Sequence, residues 1–254
     1  MKQDFLDLLS PLSVITLDEM SSIRLMNRTD QKYLATEPQL LELLSMVKGN
    51  YMVQVVDGCR YSYYHTIYLD DAENSMYLSH HNGRLTRQKV RVRTYIDTET
   101  SFFEMKFKNN RGRTKKKRIL LDYADSFNQN AAVELFNKFS RLDVPFNELS
   151  PKMENFFERI TLVNRDKTER ITIDTGLLFN NFGTELKKEM NNLVIIEVKR
   201  DGYSYSPMVH ILKELRIRPS GFSKYCIGSA ITNPDLKANR FKIRLRKIDK
   251  MINN

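Results

Sequence analysis

The sequence predicts an α+β domain built on an antiparallel β-barrel or strongly curled sheet. Two observations lead to this prediction: short strand-like runs follow one another along most of the chain, and only a few helical segments separate them. A third observation concerns charge. Several of the runs alternate cations with apolar residues, so that one face of each predicted strand is basic and the other is apolar.

Five segments have the features of helices. A short apolar pattern ends at Pro11, and an amphipathic stretch begins at a Thr36 cap and stops at Gly49-Asn50. Ser206-Pro207 begins a later helix that runs to about residue 215. Residues 131–141 and 151–159 complete the predicted set.

Runs rich in β-branched and aromatic residues are the predicted strands. Asp174 is expected to end one of them and to cap a turn at Thr175-Gly176, and His80-His81 is expected in a solvated hairpin. The predicted strands are 61–69, 76–78, 85–95, 101–108, 115–121, 160–164, 169–174 and 193–200.

Composition limits the classes of function. The chain has 254 residues, 41 Lys plus Arg and 31 Asp plus Glu, for a net charge of +10. Such a surplus favours a polyanionic partner, which includes nucleic acid, polyphosphate, nucleotides and anionic membrane surfaces. Cys59 and Cys226 are too few for a disulfide framework or a zinc site and are expected to be buried thiols. No apolar run is long enough to span a membrane, so a cytoplasmic protein is expected.

Cations that stand two residues apart in a strand lie on the same face of the sheet, because successive side chains point to opposite faces. Four cations in one row repel each other, and an ordinary folded domain has little use for them. A lumen lined by these rows would be an anion tunnel whose natural occupant is a chain of phosphates, and the alternative is that the rows are the solvated face of an open sheet. The rows are Arg87, Lys89, Arg91 and Arg93; Glu104, Lys106 and Lys108; Lys116 and Arg118; and Glu197 and Lys199.

Several short motifs follow one another in order between about Asn27 and Ile227. They are Lys32-Tyr33, Tyr64-x-Thr66-Ile67-Tyr68-x-Asp70, Arg87-x-Lys89-Val90-Arg91-Val92-Arg93-x-Tyr95, Phe103-Glu104-Met105-Lys106-x-Lys108, Lys116-x-Arg118, Arg170-Ile171-Thr172-Ile173-Asp174, Glu197-Val198-Lys199 and Ser223-Lys224-Tyr225. Together, these motifs resemble the VTC domain, which belongs to the triphosphate tunnel metalloenzyme superfamily.

This resemblance implies an eight-stranded antiparallel β-barrel tunnel with helices packed on its outside. It implies one domain over residues 1–254, with an N-terminal helical extension (1–26), the barrel core (27–227) and a basic C-terminal segment (228–254). The implied activity is a metal-dependent polyphosphate polymerase that transfers the γ-phosphoryl group of ATP to a growing polyphosphate chain. The implied cofactor is Mn²⁺ or Mg²⁺.

Residue roles follow from the same resemblance together with the charged rows. Arg91, Arg93, Lys106 and Lys199 are the expected catalytic cations, and Glu197 and Glu104 the expected metal ligands. Phosphates would also be bound by Lys32, Lys89, Lys108, Lys116, Arg118, Arg165, Arg170, Ser223 and Lys224.

Several functions stay open on the sequence alone. A tunnel triphosphatase or polyphosphatase would use the same cations, and a non-catalytic polyphosphate or nucleotide sensor would keep them without needing the carboxylates. A nucleic-acid-binding protein would explain the net charge, but not the carboxylates in phase with the cations, so no specific nucleic acid is expected. ATP and polyphosphate are the expected ligands, a membrane protein is a conceivable partner, and the sequence does not fix the oligomeric state.

Overall fold

The computed structural model describes residues 2–21, 23, 28–124, 126–202 and 205–253. Its helices are α1 (Lys2–Leu9), α2 (Leu17–Ser21), α3 (Glu37–Met46), α4 (Ser75–His81), α5 (Asn130–Phe139), α6 (Pro207–Glu214), α7 (Lys224–Thr232) and α8 (Lys242–Ile252). Its strands are β1 (Ser13–Thr16), β2 (Arg28–Thr36), β3 (Tyr51–Val55), β4 (Ser62–Asp70), β5 (Arg87–Tyr95), β6 (Thr100–Lys108), β7 (Thr114–Leu121), β8 (Ser150–Asn164), β9 (Glu169–Asn181), β10 (Lys187–Met190) and β11 (Leu193–Asp201).

A large antiparallel sheet organises the molecule. Its strands follow the order β2-β11-β9-β8-β4-β5-β6-β7, and β10 pairs with the outer part of β9. A short parallel pair, β1 with β3, is joined to β8. The predicted α+β class and the antiparallel sheet are therefore confirmed. Within the described residues β2 and β7 do not pair, so backbone hydrogen bonds do not close the sheet into a barrel.

The free edge of β2 is covered by the segment that leads to α7. Tyr33 forms an isolated bridge with Pro219, and the Ser220 N–H donates to the Lys32 carbonyl at 2.8 Å. The loop at 219–223 therefore passes from the β2 edge toward the basic rows of β5. This path brings the first residues of α7 onto the polar face of the sheet.

Two apolar layers cover the other face of the sheet. Residues of α1, α3 and α6 pack on β2, β8, β9 and β11, where Ile171, Ile173 and Ile196 are fully buried. Residues of α5 pack over β5 and β6, where Phe103 and Met105 are buried. Thr36 caps α3 as predicted, with a reciprocal bond to Gln39.

The predicted helix at 151–159 is wrong, because these residues form the first part of β8. Pro151 and several good helix formers suggested a helix, but the segment alternates with period two. Met153, Asn155 and Phe157 are buried along one face. Pro151 is tolerated because the pairing with β4 shifts register there.

The predicted strand at 76–78 is also wrong. These residues lie in α4, and the buried Asp70 carboxylate accepts from the Met76 and Tyr77 N–H groups, both at 3.0 Å. His81 is buried in this helix rather than solvated in a hairpin. A local strand propensity was therefore outweighed by a carboxylate that caps the helix.

Asp174 does not end its strand. β9 continues to Asn181, and Gly176 adopts a positive φ of 59° at the point where the register between β8 and β9 shifts. The glycine marks a bulge within the strand and not a turn. Cys226 is buried as expected, but Cys59 is exposed.

None of the described helices has the length and apolar character needed to cross a membrane.

Candidate functional site

The polar face of the sheet gathers the cations of the charged rows around three carboxylates. Strand register aligns these groups: Arg91 lies opposite Glu104, and Glu197 lies opposite Lys32. Each of the three carboxylates contacts two cations, and the three clusters lie on different strands.

The first cluster is centred on Glu104 of β6. Arg91 donates from Nε to its Oε2 at 2.8 Å, and Lys116 donates to its Oε1 at 3.1 Å. The Glu104 side chain is only 1% exposed. Burial alone would raise the pKa of Glu104, but Arg91, Arg93 and Lys116 outweigh burial and hold it well below its usual value.

The second cluster is centred on Glu197 of β11. Lys32 and Lys199 lie 3.4 Å and 3.2 Å from its two carboxylate oxygens. Burial opposes ionisation here too, yet Lys199, Lys32 and Arg159 lower the pKa of Glu197 well below its usual value. At 18% exposure, the Glu197 side chain is more accessible than that of Glu104.

Asp174 of β9 is the centre of the third cluster. Arg159 of β8 grips both oxygens, with Nε to Oδ1 at 2.6 Å and a terminal nitrogen to Oδ2 at 2.8 Å. Lys224 donates to Oδ2, and its Nζ lies 3.0 Å from the centre of the Phe157 ring. The pKa of Asp174 is lowered despite burial because both cations stabilise its charge.

Sequence reasoning missed Arg159 and the role of Asp174. Arg159 lies in the segment expected to be a helix, and Asp174 was expected to cap a turn. The alternation of Met153, Asn155, Phe157 and Arg159 is a signal for a strand, but it does not indicate the partner of Arg159.

Lys89, Arg93 and Lys106 lie on the same face, and none of them contacts a carboxylate of the described residues. Arg93 donates to the Thr66 hydroxyl at 3.3 Å, and Lys89 donates to the Ser223 hydroxyl at 2.6 Å. Burial, followed by the neighbouring Arg91 and Arg159, lowers the pKa of Arg93 to about 10. Arg91, burial and Arg93 together lower the pKa of Lys106 well below its usual value. The pKa of Lys89 is lowered mainly by burial.

Carboxylates from two distant strands act on the charge of Lys106. Its pKa responds to Glu104 on its own strand and to Glu197 on β11, five strands away along the sheet. Two successive residues of α7 also span the face, because Ser223 accepts from Lys89 of β5 while Lys224 donates to Asp174 of β9. The curvature of the sheet gathers the clusters into one region.

Helix α7 contributes its first residues to this region. Ser223 caps the helix by accepting from the Cys226 N–H at 3.2 Å while it also accepts from Lys89. Tyr225 stacks on Tyr68 with ring centres 5.0 Å apart. Because the cap and the stacked ring fix the helix, Lys224 is directed at Asp174.

The remaining predicted phosphate ligands lie toward the margins of the site. Lys108 is half-buried at the end of β6, and Arg118 is exposed with its guanidinium 4.5 Å from the Phe102 ring centre. Arg170 is half-buried opposite Lys199 in the register. Arg165 is exposed in the turn after β8, where its N–H donates to the Asn50 carbonyl, and it is not brought together with the three clusters.

A divalent metal could be held here only together with a ligand's own oxygens. Across the described ranges, no group of three or more His, Cys, Asp or Glu side chains is arranged to hold a metal ion. Magnesium in phosphoryl-transfer sites commonly takes one or two carboxylates and completes its shell with phosphate oxygens and water. The more accessible carboxylate, Glu197, fits that role.

Residues 27–233 match the family model of the VTC domain. The chain belongs to the VTC domain family. All three carboxylates of the site, and each cation that contacts them, fall within the matched residues.

A comparison with solved structures finds proteins that share little sequence identity with this VTC domain. A candidate adenylyl cyclase from Hippeastrum, described as having a dominant triphosphatase activity, is 16% identical with a TM-score of 0.49. That match covers 82% of this chain and 97% of the other. A candidate adenylate cyclase from Vibrio parahaemolyticus is 9% identical with a TM-score of 0.45, covering 80% of this chain and 99% of the other. A comparison with curated proteins gave no match.

Proposed function

We propose that this VTC domain is a metal-dependent polyphosphate polymerase that transfers the γ-phosphoryl group of ATP to a growing polyphosphate chain. One observation carries the proposal. The polar face holds three carboxylates that each contact two cations, and it also holds Lys89, Arg93 and Lys106, whose pKa values are lowered and which contact no carboxylate in the described part of the chain. A polyanion would supply the charge that these groups lack.

Phosphate groups suit this arrangement better than other anions. Arg91, Arg93 and Arg159 present guanidinium groups that can grip two phosphate oxygens at once, and the lysines supply compact point charges. In the proposed site the curled face, extended into a tunnel, would hold the triphosphate of ATP beside the end of the polyphosphate chain.

Transfer would need positioning and charge neutralisation more than acid–base chemistry. An oxygen of the chain's terminal phosphate would bond to the γ-phosphorus, and the bond from the γ-phosphorus to the β–γ bridging oxygen would break, releasing ADP. Arg91, Arg93, Lys106 and Lys199 would stabilise the negative charge on the transferred group and on the leaving oxygen. No side-chain nucleophile is required.

Glu197 is our proposed ligand for Mn²⁺ or Mg²⁺. When bound, the ion would supply positive charge that offsets the negative charge of the phosphate groups. Glu104 was predicted as a second ligand, but both of its oxygens are engaged by Arg91 and Lys116 and its side chain is almost fully buried. We therefore assign Glu104 the task of orienting Arg91 and Lys116.

The proposal is tested by incubating the purified protein with ATP and Mn²⁺ and resolving the products on a gel, with phosphate release measured in parallel. We expect a polyphosphate ladder and ADP, both reduced at least about 100-fold in Glu197→Gln, because losing a group that acts mainly in the transition state costs that much or more. Glu214→Gln, an exposed carboxylate at the end of α6, is the matched control and should retain activity.

Two other outcomes of this experiment would contradict the proposal and assign a different function. Free phosphate without a ladder would assign hydrolysis of triphosphate or polyphosphate, since the same cations would serve a reaction with water as the acceptor. Tight polyphosphate binding without turnover of ATP would identify a sensor.

A further inference from the structure

One end of the polar face carries basic residues for which the described residues provide no acidic partner. At the start of β5 and the end of β6, Arg87 lies directly opposite Lys108, and Lys89 lies directly opposite Lys106. Like charges in directly opposed positions destabilise a sheet. Elsewhere on this face the register places Glu104 or Glu197 among the cations, but here it does not.

Helix α8 adds another cation at the same end. The Arg244 guanidinium lies beside Gly221, with a terminal nitrogen 3.5 Å from the position that a Cβ atom would occupy there. Gly221 is two residues before Ser223, which accepts from Lys89. In the part of the chain that the structure describes, Arg87, Lys89, Lys108 and Arg244 form no ion pair with a carboxylate.

His80, at the end of α4, is close enough to these four cations for their charges to act on its ring. Its Nδ1 is buried and has no hydrogen-bond partner among the described residues, and its ring packs edge-on against Phe241. Burial, followed by Lys89, Arg87, Arg244 and Lys108, lowers the pKa of His80 to about 2. The imidazole is therefore neutral, and one of its ring nitrogens is buried without a partner, which is costly unless a ligand engages it.

We propose that Arg87, Lys89, Lys108 and Arg244 form a second phosphate-binding site, with His80 as a hydrogen-bonding group, that holds polyphosphate beyond the phosphates bound at the three carboxylate clusters. The proposal takes polyphosphate as its ligand from the proposed function. The cations come from three separate elements, β5, β6 and α8, so they can surround a tetrahedral oxyanion rather than contact it from one side.

If this second site exists, the affinity of the protein for polyphosphate should depend on the length of the polyphosphate chain. Inorganic triphosphate can occupy one site, whereas a longer polyphosphate of defined length can reach both and gains from the second contact. In a calorimetric titration without ATP, we expect Arg244→Gln to weaken binding of the longer chain about tenfold, the cost of one charge-assisted hydrogen bond. Triphosphate binding should change by less than about twofold.

Arg246→Gln is the matched control, because Arg246 is exposed on the same helix and its replacement removes the same charge. It should leave both affinities unchanged. Equal losses in Arg244→Gln and Arg246→Gln, or equal losses for the long and the short ligand, would overturn the proposal.

His80 provides a second readout that does not depend on any variant. Binding of the longer polyphosphate adds negative charge beside the ring and should raise the pKa of His80, so its imidazole resonances should shift and titrate at a higher pH in an NMR experiment. Unchanged His80 resonances at saturation would overturn the site. Because neither measurement uses turnover, a protein that fails to polymerise ATP but shows both effects would lose the proposed function and keep this site.

Discussion

Asp174 lies almost fully buried between Arg159 and Lys224, and both cations depend on it for a counter-charge. Without the carboxylate, two buried positive groups would face each other beside the Phe157 and Tyr64 rings, and the charge of Glu197 would act on Arg159 from β11. Cation–π contacts recover only part of the cost of burying a charge. Asp174 therefore allows these cations to be held in place before a ligand arrives.

Replacing Asp174 by asparagine should lower the free energy of unfolding by about 3–5 kcal/mol, the cost of removing one partner of a buried ion pair. Chemical denaturation of the ligand-free protein measures the effect. Asp166→Asn is the control, because Asp166 is exposed in the turn after β8 and should change stability by less than about 0.5 kcal/mol. A loss below about 1 kcal/mol in Asp174→Asn would show that the cations do not need this counter-charge.

Individual residues of the polar face could be predicted where charged and apolar residues alternate along a strand. The places of Arg91, Glu104 and Glu197 on the polar face were predicted because each stands in a strand whose cations and apolar residues alternate over several positions. Arg159 could not be identified in the same way, because it is the only cation in phase on its part of β8. Its pairing with Asp174 depends on contact between two strands, which no local pattern contains.

At the scale of elements, α7 connects the apolar packing to the site. Its first residues, Ser223 and Lys224, reach the cations, and its middle packs against β8 and β9 through Gly228. A Cβ atom at Gly228 would lie 2.4 Å from both Met153 Sδ and a Phe179 ring carbon. The absence of a side chain there sets how closely the helix approaches the sheet.

Gly228→Ala should therefore destabilise the protein by about 1–3 kcal/mol, although alanine is the better helix former by about 1 kcal/mol. The shifted helix should also weaken triphosphate binding, because Ser223 and Lys224 move with it. Thermal unfolding and calorimetric titration measure the two effects. Gly183→Ala is the control, since its nearest neighbour, the Asn181 Oδ1 atom, lies 3.6 Å away. A more stable Gly228→Ala protein would mean that the interface adjusts at little cost.

Helices and strands could be predicted from the sequence where the local residue pattern favours the same element that the tertiary packing requires. The strands β5, β6, β7 and β11 were placed within about two residues, because a two-residue period was visible in both charge and apolarity. Residues 76–78 and 151–159 were assigned to the wrong structure because their local propensities conflict with the capping by Asp70 and with pairing to β4. Closure of a tunnel depends on how the two ends of the sheet meet, and sequence patterns do not encode this.

At the scale of the whole molecule, the crowded cations determine how stability depends on pH. Lysine has a pKa of 10.5 in the unfolded chain, but the pKa values of Lys106 and Lys224 are well below that in the fold, and those of Lys89 and Lys199 are also lowered. At a pH above the pKa values that these lysines have in the folded protein, the unfolded chain binds more protons than the folded protein. Stability must then rise with pH until the lysines of the unfolded chain also lose their protons.

The free energy of unfolding of the ligand-free protein should therefore increase between about pH 7 and about pH 9.5, before the tyrosines of the unfolded chain titrate. Saturating inorganic triphosphate should stabilise the protein most at the lower pH, because the bound anion favours charged lysines. Denaturation curves across this range, with and without triphosphate, provide the measurement. A flat or falling profile without ligand would show that the lysines titrate normally in the fold.

The last strand of the sheet, β7, has a consequence for how copies of the protein meet. An uncovered strand edge is a template on which a second sheet can add, and such addition leads to aggregation. Lys115 and Lys117 are exposed on one side of this strand and Arg118 is exposed on the other. Two such edges brought together would align rows of positive charge, so the basic residues that favour phosphate also keep neighbouring molecules from joining edge to edge.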